Sequence, residues 1–383
     1  MSVLRVLQVV PSMSPLRGGP SVSVPTLCRA LCEAGAHVTV VTTNDNGPDK
    51  SAAPLGVPID AGGFECLYFS RQSAAYTISL PLLQWLERNG RSYDVIHVHG
   101  AFNHVSDFAP RAAYRLPRPY GISPRGSLAA WGMGMRRPLA KRVLLRMLIG
   151  QNFKRAAFAH FTSDQERRES EYHIHPSHPY VIPNGVLVPP TSQPRVERSD
   201  GIFRLVFVSR IDPMKGLELL LEAVAVAIRR GRAIELTVAG VGRDAYLASL
   251  GALATQLGVA ASVRWVGFVE GRAKEAALAQ ADAFILSSWN ESFGVAVAEA
   301  LAAGVPVVVS DQVGISPEIA QAEAGLVVTC HVDALVDAIE NLILHPEDRR
   351  RMGENGRRLA RADFSLPATA RRMLAMYEQV LGA

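Results

Sequence analysis

Phe203-Arg204-Leu205-Val206-Phe207-Val208-Ser209 runs straight into Arg210-Ile211-Asp212-Pro213-Met214-Lys215-Gly216 and on into Leu217-Glu218-Leu219-Leu220-Leu221-Glu222-Ala223-Val224. A short apolar run bounded by turn residues is the pattern of a buried strand, and the leucines after the turn recur with helical spacing. Strand, turn and helix in that order make half of a βαβ unit, whose repetition builds a parallel sheet. The unit recurs on both sides of this stretch. Before it, strands are expected at residues 3–10, 37–43, 65–69, 94–99, 120–123 and 159–162. From it onward, they are expected at 203–209, 235–239, 263–267, 283–286, 306–310 and 326–329.

The two series are parted by Ile182-Pro183-Asn184-Gly185-Val186 and Pro189-Pro190-Thr191-Ser192-Gln193-Pro194, which have the composition of a linker. At 383 residues the chain exceeds what one hydrophobic core usually supports. The fold class is therefore α/β, with two Rossmann-like, doubly wound parallel-sheet domains that meet at residues 185 and 186.

Composition removes several function classes. Hydrophobic residues at 48% and charged residues at 20% describe a globular protein, and no apolar run is long enough to span a bilayer. The first strand is followed by a loop and not by a small-residue cleavage site, so a cytoplasmic protein is expected. Cys28, Cys32, Cys66 and Cys330 fit that compartment as buried thiols, and no Cys or His cluster completes a metal set. The net charge of +5 conceals an asymmetry: residues 1–190 carry 20 Lys and Arg against 12 Asp and Glu, leaving 20 against 23 for the rest. The basic half suits an anionic partner such as a membrane surface or a lipid diphosphate. Aromatic residues at 7%, with no basic run interleaved with stacking residues, argue against nucleic acid as that partner. Neither domain opens with Gly-x-Gly-x-x-Gly, which argues against a nicotinamide enzyme.

Open parallel sheets bind ligands outside the carboxyl ends of their strands. After the first strand, Gly18 and Gly19 stand where a helix from about residue 22 to 34 begins, and free N–H groups there favour an anion. After strand 203–209, Arg210 and Lys215 flank one turn and are suited to grip a diphosphate. After strand 283–286 comes Asn290-Glu291-Ser292-Phe293-Gly294-Val295-Ala296-Val297-Ala298-Glu299, with Glu291 ahead of a helix and Glu299 inside it among Val, Ala and Leu. An ionised carboxylate in such surroundings needs strong hydrogen-bond donors, which ligand hydroxyls supply. On the acceptor side, the same rule selects His99, Asn103 and Ser127, while Arg125, after strand 120–123, is expected in the catalytic set with Arg210, Lys215 and Glu291.

On these residues the chain resembles glycosyltransferase family 4, the retaining group 1 enzymes with the GT-B fold, over nearly its whole length. Glu291 and Glu299 match the paired glutamates, Ser209-Arg210 with Lys215-Gly216 the cation pair, Gly18-Gly19 the glycine loop, and Ile182–Val186 the interdomain segment. The resemblance implies two domains facing a central cleft: an acceptor domain at 1–185, a donor domain at 186–367, and a C-terminal helix at 368–383 that packs back toward the first. It implies that Arg210 and Lys215 hold the donor diphosphate, that Glu291 with Ser292, Phe293, Gly294 and Val295 holds the sugar, and that Glu299 binds ribose. Gly267, Phe268 and Val269 match the segment at the nucleotide base.

The activity so implied is retaining hexosyl transfer from a UDP- or GDP-sugar to a glycan or lipid-linked acceptor in polysaccharide assembly, with no cofactor. With no Asp-x-Asp triplet in the chain, cations and helix N–H groups are expected to replace a metal. An alternative on the same scaffold is a nucleotide-sugar epimerase or phosphorylase. Two features qualify the resemblance. Arg125 stands where relatives often place His, and a guanidinium acts by charge and not as a base. Between residues 135 and 155, Arg136, Arg137, Lys141, Arg142, Arg146, Lys154 and Arg155 interleave with Val143, Leu144, Leu145, Leu148 and Ile149. That pattern is expected to rest on the inner face of an anionic membrane.

Overall fold

A computed structural model describes residues 3–134, 138–189 and 200–382. Arg136, Arg137 and residues 190–194 of the expected linker lie outside the described residues. The chain divides into two compact units, Met1–Gly185 with Leu366–Ala383, and Val186–Ser365.

The first unit is an eight-stranded sheet of β1 Arg5–Ser12, β2 His37–Thr43, β3 Pro58–Asp60, β4 Glu65–Phe69, β5 Val95–His99, β6 Tyr120–Ser123, β7 Phe158–Phe161 and β8 Pro179–Val181. Their spatial order is β8-β7-β6-β5-β1-β2-β4-β3, and all pairs are parallel except β3 with β4. Strands covered on both faces carry continuous apolar runs, and Val6, Leu7, Val9 and Val10 are all fully buried. Leu7, Val9, Ile96, Val98 and Ile122 share one core cluster with Leu82 and Leu86 of helix Leu80–Asn89. Val6, Val10, Val38 and Val40 share another with Leu27 and Leu31 of helix Pro20–Glu33 and Met373 and Met376 of the C-terminal helix Leu366–Gly382. Truncating one such residue, Leu31 to Ala, costs about 2–5 kcal/mol.

The second unit is a six-stranded, all-parallel sheet of β9 Phe203–Val208, β10 Ile234–Ala239, β11 Val263–Gly267, β12 Ala283–Leu286, β13 Val307–Ser310 and β14 Gly325–Val328. Its order is β11-β10-β9-β12-β13-β14. Each sheet thus reverses its winding at one place, between β1 and β5 in the first unit and between β9 and β12 in the second. Such a reversal parts the loops at the carboxyl edge and makes room for a ligand.

Two edge strands, β3 and β8, were not anticipated. Each is three residues long and begins with Pro, which is tolerated where no neighbour needs its missing N–H. The cysteines also need correction: Cys28 and Cys66 are buried, but Cys32 and Cys330 are partly exposed, and all four are free. Burial pushes the Cys66 thiol up to about 11, far from reactive thiolate.

Candidate functional site

In the second unit, the loop after β9 is held by its own chemistry. The Asp212 side chain accepts from Met214 N at 3.1 Å, capping a short turn at Pro213–Lys215. Gly216 follows at φ 63°, and a Cβ there would lie 2.2 Å from the Ser287 carbonyl oxygen, so only glycine lets this loop close onto the end of β12. Lys215 is thereby buried, and its ammonium pairs with Glu291. Arg210 stays exposed. Glu291 is fixed through its backbone, its N–H donating to Gln312 O at 3.0 Å and its carbonyl accepting from Gly314 N at 2.7 Å.

Gly294, at φ 92°, then caps helix Val295–Ala302. The Phe293 side chain is core, edge-on to Phe364 at 5.5 Å, so this residue offers a ligand only its backbone. Glu299 is half-buried and accepts from Lys274 Nζ at 2.5 Å. Two ion pairs, Lys215 with Glu291 and Lys274 with Glu299, therefore stand at the carboxyl side of the strand reversal. Lys274 was missed by sequence reading, since nothing local marks one lysine of helix Gly271–Gln280. Gly240 and Gly242 were missed as well. A Cβ on either would come within 1.8–2.3 Å of the Ser209 or Ile211 carbonyl, so they let the loop after β10 lie against Ser209–Ile211. Glycines directly after a strand were the available signal. Gly267 (φ 71°) and the exposed Phe268 end β11, with Val269 half-buried beside them.

In the first unit, Gly18 has φ 90°, which demands glycine, whereas Gly19 is helical with open space at its Cβ position. Arg17 of this loop donates to Asp45 at 2.6 and 2.7 Å, and Asp45 also takes Arg71, whose other bonds go to the Gly47 and Pro48 carbonyls. This triad anchors the glycine loop. It escaped notice because its members are dispersed along the sequence.

At the end of β6, Arg125 and Gly126 both have positive φ, 52° and 78°, a conformation that costs a non-glycine residue about 1 kcal/mol or more. Arg125 Nε donates to His99 Nδ1 at 3.2 Å and Nη1 to Asn184 Oδ1 at 2.7 Å, while Nη2 is enclosed with no partner among the described residues. No carboxylate among the described residues pairs with it. Glu166 is committed instead to Gly126 N, Thr162 N and Thr162 Oγ1 at 2.5–2.6 Å, and burial raises its pKa.

The acceptor-side candidates differ in their surroundings. His99 is fully buried, wedged against Gln8 and Arg125. Asn103 is spent as a helix cap, its Oδ1 accepting from Ser106 N at 2.9 Å. Ser127 is half-buried in the turn after Arg125. No group of three His, Cys, Asp or Glu that could hold a metal occurs among the described residues. No helix among them is long and apolar enough to cross a membrane.

Residues 190–359 match the family profile described as glycosyl transferases group 1, and residues 18–185 the profile of the glycosyl transferase 4-like domain. The chain is 28% identical over 421 residues to the D-inositol 3-phosphate glycosyltransferase of Corynebacterium efficiens, covering 99% of this chain and 96% of that one. It is 31% identical over 216 residues to an MMP alpha-(1->4)-mannosyltransferase of Mycolicibacterium hassiacum, covering 55% and 51% of the two chains. Among solved structures, sucrose-phosphate synthase of Thermosynechococcus elongatus aligns with a TM-score of 0.78 at 20% identity over 99% of both chains. HepE of Anabaena, in complex with UDP and glucose, aligns with 0.75 at 17% identity, covering 98% of this chain and 100% of that one.

Proposed function

The chain belongs to the group 1, family 4-type glycosyltransferases with the GT-B fold, and from that premise we propose that it is a retaining, metal-independent hexosyltransferase that takes its sugar from a UDP- or GDP-sugar. The observation that carries this reading is the Lys215–Glu291 pair, a buried cation and a partly exposed carboxylate at the carboxyl side of the strand reversal. A donor would exchange partners with it: Lys215, with Arg210, turns to the diphosphate, and Glu291 to the sugar hydroxyls. Charge grows on the leaving phosphate as the glycosidic bond breaks. Fixed cations and the N–H groups at the start of helix Val295–Ala302 stabilise that charge without reorganising. Glu299 takes the ribose hydroxyls in place of Lys274, and Gly267 to Val269 face the base. Arg125, whose Nη2 has no partner among the described residues, takes a phosphate oxygen of the leaving group or of a diphosphate-linked acceptor.

The acceptor we propose is a lipid-linked glycan met at an anionic membrane. The surface that supports this differs from the one expected. Leu145, Leu148 and Ile149 are buried, and Leu144 is half-buried, so they face the core. Leu139, Val143 and Met147 are 74%, 56% and 72% exposed along one stripe, with Arg142 and Arg146 exposed beside them. Apolar side chains flanked by cations suit an anionic interface. Vesicles of anionic lipid should retain the chain in a salt-dependent way, and Leu139→Glu with Met147→Glu should release it; retention by the double variant would remove this surface from the account.

The activity itself is tested by a screen of UDP- and GDP-sugars that measures nucleoside diphosphate release with and without glycan acceptors. Release that depends on an acceptor, with transfer product, supports the proposal. A product epimerised at the donor sugar, or sugar phosphate formed with inorganic phosphate, would instead favour an epimerase or a phosphorylase.

A further inference from the structure

β1 and β5 flank the strand reversal of the first unit with Gln8 in register with His97. His99 lies two residues on, on the same face, and His160 comes from β7. All four side chains are at most 1% exposed in a sheet whose buried side chains are mostly apolar. Buried polar groups in such a place are kept only if they are bonded to one another. Gln8, His97 and His99 are joined in this way through Tyr377, with directions that follow from the Arg125 end.

A guanidinium only donates, so Arg125 Nε makes His99 Nδ1 an acceptor. The proton of neutral His99 is then on Nε2, which donates to Gln8 Oε1 at 2.6 Å. That orients the Gln8 amide, and its Nε2 donates to Tyr377 Oη at 3.1 Å. The Tyr377 O–H has His97 Nδ1, 2.8 Å away, as its one acceptor among the described residues, and donates to it. His97 therefore carries its proton on Nε2. His160 Nε2 donates to Ile182 O at 2.9 Å, which leaves its Nδ1 an acceptor. The chain of hydrogen bonds ends at His97, whose ring packs beside that of His160 with centroids 5.3 Å apart. Asn184, two residues beyond, is the second partner of Arg125.

We infer that Gln8, His97, His99 and Tyr377 are positioning residues: a one-way hydrogen-bond chain that aims the Arg125 guanidinium and leaves its Nη2 for an anionic ligand. The inference rests on the proposed role of Arg125 in the reaction. The chain stays neutral throughout. Burial first holds all three histidines below the usual imidazole range, the neighbouring imidazoles (for His97 and His99) and the Arg125 guanidinium lower them further, and His160 falls to about 3. Phe158 encloses the chain, edge-on to His97 at 5.1 Å and to Tyr377 at 5.7 Å. Gly121 permits that placement, because a Cβ there would fall 2.1 Å from the Phe158 ring. Tyr377 sits on the C-terminal helix, so this helix supplies a link to a residue at the end of β6.

The test is nuclear magnetic resonance on the full chain labelled with 15N in histidine and arginine. In the wild type, His97, His99 and His160 should all be neutral with the proton on Nε2, and the Arg125 Nε–H should exchange slowly with water. A protonated ring or the other tautomer at His97 or His99 would overturn the chain even if no variant folds. Tyr377→Phe keeps the ring but breaks the link, and should raise the Arg125 Nε–H exchange rate about tenfold or more and disturb the His97 tautomer. Met373→Leu, on the same buried helix face, should change neither. Exchange at Arg125 unaltered by Tyr377→Phe, or altered equally by Met373→Leu, would reduce the chain to packing. The role of Arg125 is read separately, from turnover of Arg125→Ala in the donor screen. Full turnover there with the exchange effect present would remove Arg125 from the reaction but leave its positioning intact.

Discussion

At its strand reversal, the second unit carries ions: Lys215 with Glu291 and Lys274 with Glu299, in pairs that are partly open to solvent on their carboxylate side. The first unit, at the corresponding reversal, carries Gln8, His97, His99, His160 and Tyr377, neutral and sealed from water. The same topology thus serves two uses. An ion pair near water can trade its partner for a ligand at modest cost, because each ion is re-paired or solvated. A buried neutral chain has no such freedom, since each lost bond strands a donor or acceptor at about 1–3 kcal/mol. The first arrangement is suited to binding and release, and the second to holding one cation still.

This contrast is most exposed at Lys215. Lys215→Ala should lower turnover on the order of 10³-fold, because it removes a fixed cation from the developing phosphate charge and leaves Glu291 unpaired. Steady-state nucleotide release measures it, and a loss under tenfold would mean that the pair is structural. Arg125→Ala should cost on the order of 10²-fold by the same assay, and Arg125→Lys should recover part of it. Full turnover in both folded variants would end the comparison on the first unit's side.

Acid separates the units next. A histidine whose folded pKa lies below its unfolded value makes the folded state less stable once the pH falls through about 6.5, by about 1.4 kcal/mol per histidine per pH unit. His97, His99 and His160 all act this way. Asp107, raised to about 6 by burial, and Glu166, also raised, oppose them in part, because their protonation favours the folded state in the range between their unfolded and folded values. The second unit's His331 and His345 are exposed. Calorimetric scans from pH 7 to pH 5 should show the transition of the first unit falling faster than that of the second; parallel shifts would show that the histidines are not held neutral. The smallest expected effect is that of a chelator: EDTA should leave turnover unchanged, and loss restored by magnesium or manganese would refute the role given to Lys215 and Arg210.

Much of the second unit could be read in advance because its chemistry is local. Asp212, Pro213 and Gly216 announce a turn, and Glu291 through Glu299 lie within one loop and one helix. The reach of Lys274 to Glu299 could not be read, since it depends on how helix Gly271–Gln280 lies against the sheet. In the first unit the strands were legible from their apolar runs, but the polar chain was not. Gln8 and His97 are 89 residues apart and Tyr377 a further 280 on, and only the sheet register and the C-terminal helix bring them together. For the same reason the burial of His99 could not be read, although its place at a strand end could. Asn103 has the residue type of a helix cap, and its position ahead of helix His104–Tyr114 made that reading available.

The central claim is that the carboxyl edge of the second unit holds a nucleoside diphosphate, and calorimetric titration of UDP and GDP into the full chain tests it most directly. One of the two should bind the wild type and Glu235→Gln alike, since Glu235 lies at the amino end of β10, and should bind Glu299→Gln about tenfold more weakly, because an amide accepts from the ribose hydroxyls with one atom where the carboxylate offers two. Equal affinity for the wild type and Glu299→Gln, or binding of neither nucleotide to the wild type, would contradict the account.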